Sequence, residues 1–259
     1  MPANDHLPTA GPDVLIVLPG TGSDGDFVRR AFGPAADDLG VELIGIEPTD
    51  DLIGGHRRRL AELSASCQRV LVGGFSIGAA LALEWALSAP GRRRCVGVWA
   101  AMPAWSGDPD EAIAARSAAI TASALRSDGL EQTLATMVAT SPSWLARELT
   151  RSWRALYPGL VDQLDAASRY RAPAAAAIGN LVAPLAVTAA DDDPLHPWQV
   201  AQEWCRAAPN SRLTGVGLAD WGADPALLGR LCADAWRALI AGSTQTGDEQ
   251  HDSPPHGSE

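Results

Sequence analysis

The sequence predicts an α/β fold: a mostly parallel sheet with helices on both faces and a helical insertion. Three observations predict it. Apolar runs without alternation, such as Asp13–Leu18 (DVLIVL), suit strands covered on both faces. These runs alternate with segments of helical spacing, the pattern of βα units around a parallel sheet. At Arg69–Gly78 (RVLVGGFSIG) a buried strand passes through a glycine-flanked serine straight into a helical run from Ala79 to Leu87.

A chain of 259 residues, 46% hydrophobic and 20% charged, is long enough to bury one α/β core with an insertion. All 20 basic residues are Arg, and 31 acidic residues bring the net charge to −11. An acidic chain is repelled by phosphate backbones and anionic bilayers, which argues against nucleic acid or a membrane as the main partner. The triplets Arg57–Arg59 and Arg92–Arg94 read as solvated surface. Cys67, Cys95, Cys205 and Cys232 form no C-x-x-C pair and no metal-ligand spacing. No metal or cofactor is therefore expected, and a reducing, cytoplasmic setting is. The opening MPANDHLPTAGPD has neither a basic n-region nor an apolar h-region. Ala172–Ala190 carries no charge, but its prolines, Gly179 and many alanines make it too weakly apolar to span a bilayer.

In chain order, residues 1–12 read as a loose lead-in. The strand Asp13–Leu18 then ends in Pro19-Gly20-Thr21-Gly22-Ser23-Asp24-Gly25, a loop with rival readings. It holds a literal G-x-G-x-x-G, and Glu47 closes the next strand (Val41–Glu47) where a ribose-binding acid could sit. Those are marks of a dinucleotide-binding Rossmann unit. Against that, Asp24 would face the pyrophosphate, and Gly33-Pro34 interrupts the helix that should hold it. The same loop also reads as a tight turn, or as an oxyanion loop whose glycines leave backbone N–H groups free. Asp50–Cys67 is expected as a helix with Leu60 and Leu63 inward and His56 on the surface. The strand Val70–Phe75, the helix Ser76–Ser88 and the strand Cys95–Ala101 follow.

From Pro103 to about Val182 no strand pattern appears. Leu130, Leu134, Met137 and Val138 follow helical spacing, as do Leu145, Leu149, Trp153 and Leu156. Residues 104–182 are thus expected as a helical insertion. Its Trp105, Trp144 and Trp153 either pack it onto the core or line an apolar pocket beneath a lid. The core, residues 13–103 and 183–241, resumes with a strand at Pro184–Ala189 and a helix at Trp198–Ala207. A strand at Arg212–Gly217 and a terminal helix at Pro225–Ala241 complete it. Residues 242–259, polar and acidic, read as a disordered tail.

Between strand and helix, Gly74-Phe75-Ser76-Ile77-Gly78 has the form of a nucleophile elbow. This run within Gly73–Glu84, the order of elements, and D-D-P-L-H-P at Asp192–Pro197 before a helix together resemble the α/β-hydrolase superfamily. Pro19–Ser23 (PGTGS) resembles the oxyanion segment of its carboxylesterase and dienelactone-hydrolase branch, with Pro19 where His is usual. The likeness covers residues 13–103 and 183–240. It implies Ser76 as nucleophile, the Thr21 and Ile77 N–H groups as oxyanion hole, and Asp193 as the orienting acid, with Asp191 and Asp192 close by.

The resemblance also implies a His in the loop after the last strand, and there the sequence reads Gly217-Leu218-Ala219-Asp220-Trp221. Asp220 stands where the base should be. A serine hydroxyl needs a neighbour to take its proton, and a carboxylate is a poor base for it. His196 is expected to pack at the start of the following helix, with service as a substitute base the rival reading. Three functions remain. The first is hydrolysis of a small-molecule carboxylic ester or thioester with a non-standard base. The second is a catalytically impaired relative binding a small apolar ligand, and the third is dinucleotide binding.

Overall fold

The apolar runs become the strands of one sheet, which a computed structural model describes within residues 11–248, with side chains to residue 242. The strands are β1 (Val14–Leu18), β2 (Glu42–Gly45), β3 (Val70–Phe75), β4 (Cys95–Ala101), β5 (Leu185–Ala189) and β6 (Ser211–Gly215). Their order is β2-β1-β3-β4-β5-β6, and every neighbouring pair is parallel. Every residue of β1 and β5 is buried, whereas β6, at the edge, has exposed and half-buried positions. That is the burial that unalternating and mixed sequences respectively demand.

Register brings the carboxyl ends of the central strands to one edge. Leu18 pairs with Gly74, Phe75 with Ala101, and Ala101 with Thr188. The loops after β1, β3 and β5 therefore open side by side. Helices α1 (Gly25–Leu39) and α12 (Ala226–Asp248) pack together and cover one face, where Trp99 of β4 meets Trp236 at 6.5 Å between ring centres. Helices α2 (Leu52–Ala65) and α3 (Ile77–Leu87) cover the other, where Leu18 shares a cavity of about 130 Å³ with Leu60, Leu81 and Trp85. A short helix α4 (Ala89–Arg94) leads into β4, and α10 (Trp198–Ala207) and α11 (Leu218–Ala223) flank β6.

Between β4 and β5 the chain forms α5 (Ile113–Ser127), α6 (Gly129–Thr140), α7 (Ser143–Leu156), α8 (Leu160–Ser168) and α9 (Ala175–Ile178). Among the described residues, no helix is long and apolar enough to cross a membrane. All four cysteines are free thiols.

Three sequence expectations need correction. Helix α1 is not interrupted at Gly33-Pro34; it runs through Pro34 and forgoes the bond that a proline nitrogen cannot donate. Burial of Phe27, Val28, Ala31, Phe32, Ala35 and Ala36 along one face outweighs that loss. Helix α12 continues past Ala241 to Asp248, into the stretch read as a tail; the rest of that tail and residues 1–10 lie outside the described residues. His56 is not a surface residue. It is fully buried, bordering the cavity that Leu18, Leu60, Leu81 and Trp85 line, with no partner for either ring nitrogen among the described residues.

Candidate active site

The strand–turn–helix at Ser76 is tight for steric reasons. A Cβ on Gly74 would collide with the backbone of Gly78, and one on Gly78 with the carbonyl oxygens of Leu18 and Pro19. Ser76 itself adopts φ 55° and ψ −120°, a region that residues with a Cβ rarely enter. Its N–H is tied to the carbonyl of Ala101 on β4 at 2.9 Å, and its carbonyl accepts from Ala79 in α3. The side chain has no part in capping that helix, which leaves Oγ free at the top of the sheet.

That hydroxyl meets His196. Ser76 Oγ and His196 Nε2 are 3.0 Å apart, and His196 Nδ1 is 2.8 Å from Asp193 Oδ2. The i,i+3 spacing in Asp193-Pro194-Leu195-His196 folds into a turn in which Asp193 Oδ1 also accepts the N–H groups of Leu195 (2.8 Å) and His196 (3.2 Å). Both side chains are shielded, at 6% exposure for Asp193 and 11% for His196. Burial alone would raise the Asp193 pKa. The imidazole and the two backbone donors outweigh it and hold the carboxyl below its ordinary range. A carboxylate at Nδ1 fixes the proton there and turns the Nε2 lone pair toward Ser76. Phe75 sets one wall of this pair, with its ring 5.5 Å from the imidazole.

Asp220 is not the neighbour of the serine. It is exposed in the first turn of α11, bordering an open groove with Asp191 and Trp198. The same turn drives the next residue inward: Trp221 is buried, 5.7 Å from Phe75 between ring centres. The three consecutive aspartates have separate surroundings. Asp191 is exposed on the groove, Asp192 accepts the Leu218 N–H at 2.8 Å, and Asp193 holds His196. The expectation that His196 only packs ahead of α10 is likewise corrected, since both its ring nitrogens are engaged.

The loop after β1 is a turn closed by Ser23 N–H to Gly20 O at 3.1 Å, with Gly22 at φ 72°. A positive φ at the third position is the type II form and requires glycine. Gly20 lies against Phe75 and Ser76, so close that a Cβ there would stand 3.3 Å from Ser76 Cβ. Thr21 is therefore held next to the elbow, and Ile77 is the first residue of α3, whose N–H has no acceptor within the helix. Neither N–H has a backbone partner among the turn, loop and cap bonds of the described residues. The dinucleotide reading loses its site here. Glu47 accepts the Gly25 N–H at 3.0 Å, and Asp24 accepts that of Phe27 at 3.1 Å. Two carboxylates thus occupy the helix N-terminus that a pyrophosphate would need.

Helix α7 lies across both rims of this site, and sequence reasoning assigned its polar residues no role. Arg151 forks onto Asp24 at 2.7 and 2.9 Å, Ser152 donates to Gly22 O at 2.6 Å, and Trp153 packs on Gly22. At its other end Trp144 meets Trp221 edge-on at 4.6 Å. Asp24, Asp26 and Glu148 cluster closely enough to suggest a metal, but Arg30 and Arg151 already pair with all three carboxylates. No signal in the sequence joins residue 151 or 152 to the loop near residue 22; only the fold does.

The architecture has close counterparts among solved structures. A hydrolase from Oleispira antarctica superposes with a TM-score of 0.66 at 15% identity, covering 91% of this chain and 92% of its own. A putative non-heme bromoperoxidase, BpoC, from Mycobacterium tuberculosis H37Rv gives 0.61 at 19% identity over 89% and 94%. MenH from S. aureus gives 0.59 at 15% identity over 93% and 96%. The fold is that of the α/β hydrolases. No protein-family model and no curated protein matches the sequence.

Proposed function

We propose that this protein hydrolyses small-molecule carboxylic esters or thioesters, with Ser76 as nucleophile, His196 as general base and Asp193 as the acid that orients it. One observation carries the reading: the continuous chain from Ser76 Oγ through the imidazole to the buried Asp193 carboxylate, at 3.0 and 2.8 Å. The case for an impaired, merely ligand-binding protein rested on a missing base, and this imidazole supplies one. The likeness to the carboxylesterase and dienelactone-hydrolase branch, carried by Pro19–Ser23, agrees with such a substrate. The aromatic surround of Phe75, Trp144 and Trp221 suits an apolar acyl or alcohol group, and helices α5–α8 would act as its lid.

In the reaction, Ser76 Oγ attacks the carbonyl carbon and passes its proton to His196 Nε2. The carbonyl oxygen becomes an oxyanion that accepts from the Thr21 and Ile77 N–H groups. Collapse expels the alcohol or thiol, which takes the proton from Nε2. Water then repeats the sequence on the acyl-serine and releases the acid. Fluorophosphonate labelling tests this. The wild type is expected to label at one serine and Ser76→Ala not at all. His196→Ala should lose roughly 10⁴- to 10⁶-fold in kcat on p-nitrophenyl esters. A wild type that takes no label, or a His196→Ala variant with full activity, overturns the reading.

A further inference from the structure

The oxyanion loop is fastened by a helix of the insertion, through a hydroxyl that has a better-placed acceptor outside its own helix. A serine within a helix ordinarily turns its hydroxyl back to the carbonyl four residues earlier. Ser152 has that option at 3.2 Å to Glu148 O, and another at 3.5 Å to Leu149 O. The shortest contact is to Gly22 O at 2.6 Å, between groups wholly buried from solvent. A hydroxyl has one proton to give, and this distance gives it to Gly22.

Gly22, as a glycine, has more backbone freedom to lose than Thr21 or Ser23 on either side of it. It is the third residue of the turn Gly20–Ser23, at φ 72°, and rotating it would carry the Ser23 N–H off Gly20 O and open the turn that sets Thr21 beside the elbow. Among the described residues, the one bond within the loop that opposes such rotation is Ser23 N–H to Gly20 O. Two further ties come from α7. Ser152 fixes the Gly22 carbonyl, and the Arg151 fork holds Asp24, which itself anchors the loop to α1 by capping it at Phe27.

We propose that Ser152 is a positioning residue for the oxyanion hole, holding Gly22 so that the Thr21 N–H stays aimed at the reacting carbonyl, with Arg151 as a second tie from the same helix. The inference rests on the hydrolase reading above. Ser152 touches no substrate; it acts through the loop. Donors that stabilise a transition state must be placed before charge develops, so loosening them lowers kcat rather than ground-state binding.

The test measures kcat and KM on p-nitrophenyl butyrate, Kd for n-butylboronic acid as a tetrahedral analogue, and thermal unfolding. For Ser152→Ala the expectation is a kcat loss of about 10- to 100-fold with KM within about threefold. Boronic acid affinity should fall in step with kcat/KM, and Ser152→Thr, which keeps the hydroxyl, should recover most of both. Arg151→Met is expected to show the same pattern more weakly. Wild-type kcat and boronic acid affinity in a folded Ser152→Ala, or a rise in KM alone, overturns the inference. Should Ser152→Ala not fold, unchanged kcat and affinity in Arg151→Met overturns it instead. If the wild type itself neither labels at Ser76 nor binds the boronic acid, the hydrolase reading falls and takes this one with it. An active wild type beside an unaffected variant overturns the positioning role alone.

Discussion

At the scale of single residues, two aspartates that look interchangeable in sequence are separated by what surrounds them. Asp193 accepts from His196 Nδ1 and from two backbone N–H groups, whereas Asp220 is exposed on α11. Asp193→Asn would present an amide to Nδ1, unsettle the tautomer, and cost about 10⁴-fold in kcat. Asp220→Asn should leave kcat within about twofold, as befits a surface substitution away from the chemistry, and Asp220→His should bring no gain. Ester hydrolysis by the three purified variants checks this, and a large loss in Asp220→Asn would restore it as the base. Ser76 is legible as the serine of a strand–turn–helix because an elbow is a local pattern. The sequence leaves His196 between packing and service as a base, because the base in the resembling family follows the last strand. Here acid and imidazole share one turn after β5, and only the distance to Ser76 reveals that.

At the scale of elements, strand–turn–helix units were legible because apolar runs, glycines and helical spacing act over a few residues. The elbow also makes the sharpest stability prediction. Gly78→Ala sets a methyl against the carbonyls of Leu18 and Pro19, backbone atoms that cannot yield without shifting β1. Loss of about 4 kcal/mol or more, or no folded protein, is expected in urea unfolding. Gly179→Ala is the contrasting case. Gly179 is exposed at φ −58° and ψ −15°, a conformation alanine adopts freely, and an added Cβ would meet carbonyl oxygens at an ordinary 3.6 Å, so it should stabilise by about 0.4–1 kcal/mol. If both variants unfold at the same urea concentration, the steric account of the elbow is wrong. What stayed illegible was how α7 meets the loop after β1. Ser152 and Gly22 lie 130 residues apart, and nothing local in either segment announces the other.

For the whole molecule, the parallel sheet follows from the alternation of elements and the helical insertion from a long stretch without strand pattern, while the burial of polar groups depends on how layers close over them. His56 shows the difference: as a polar residue it is expected on the surface, whereas it lies four residues before Leu60 on the same face of α2 and is buried with it. There it has no hydrogen-bond partner, and burial pushes its pKa down from 6.5 to about 4. The folded protein therefore carries His56 neutral, while the unfolded chain protonates it near 6.5. Its contribution to stability is whole above pH 6.5 and is lost progressively as pH falls toward 4, where the folded form protonates too. The difference between 6.5 and about 4 corresponds to about 3 kcal/mol lost across that window. Asp193 and Asp24 act lower down. Burial raises the pKa of each, but hydrogen bonds, chiefly from His196 and from Arg151, lower it further. Their contribution is present above the ordinary 3.8 and fades below it. Two windows result, and one substitution separates them. In His56→Phe, unfolding free energy from urea melts should run nearly flat from pH 6.5 to 4.5 while the wild type declines, and both should fall together below pH 3.8. Parallel curves through the upper window would mean that His56 is hydrated or paired in solution and that its burial does not shape the acid limb.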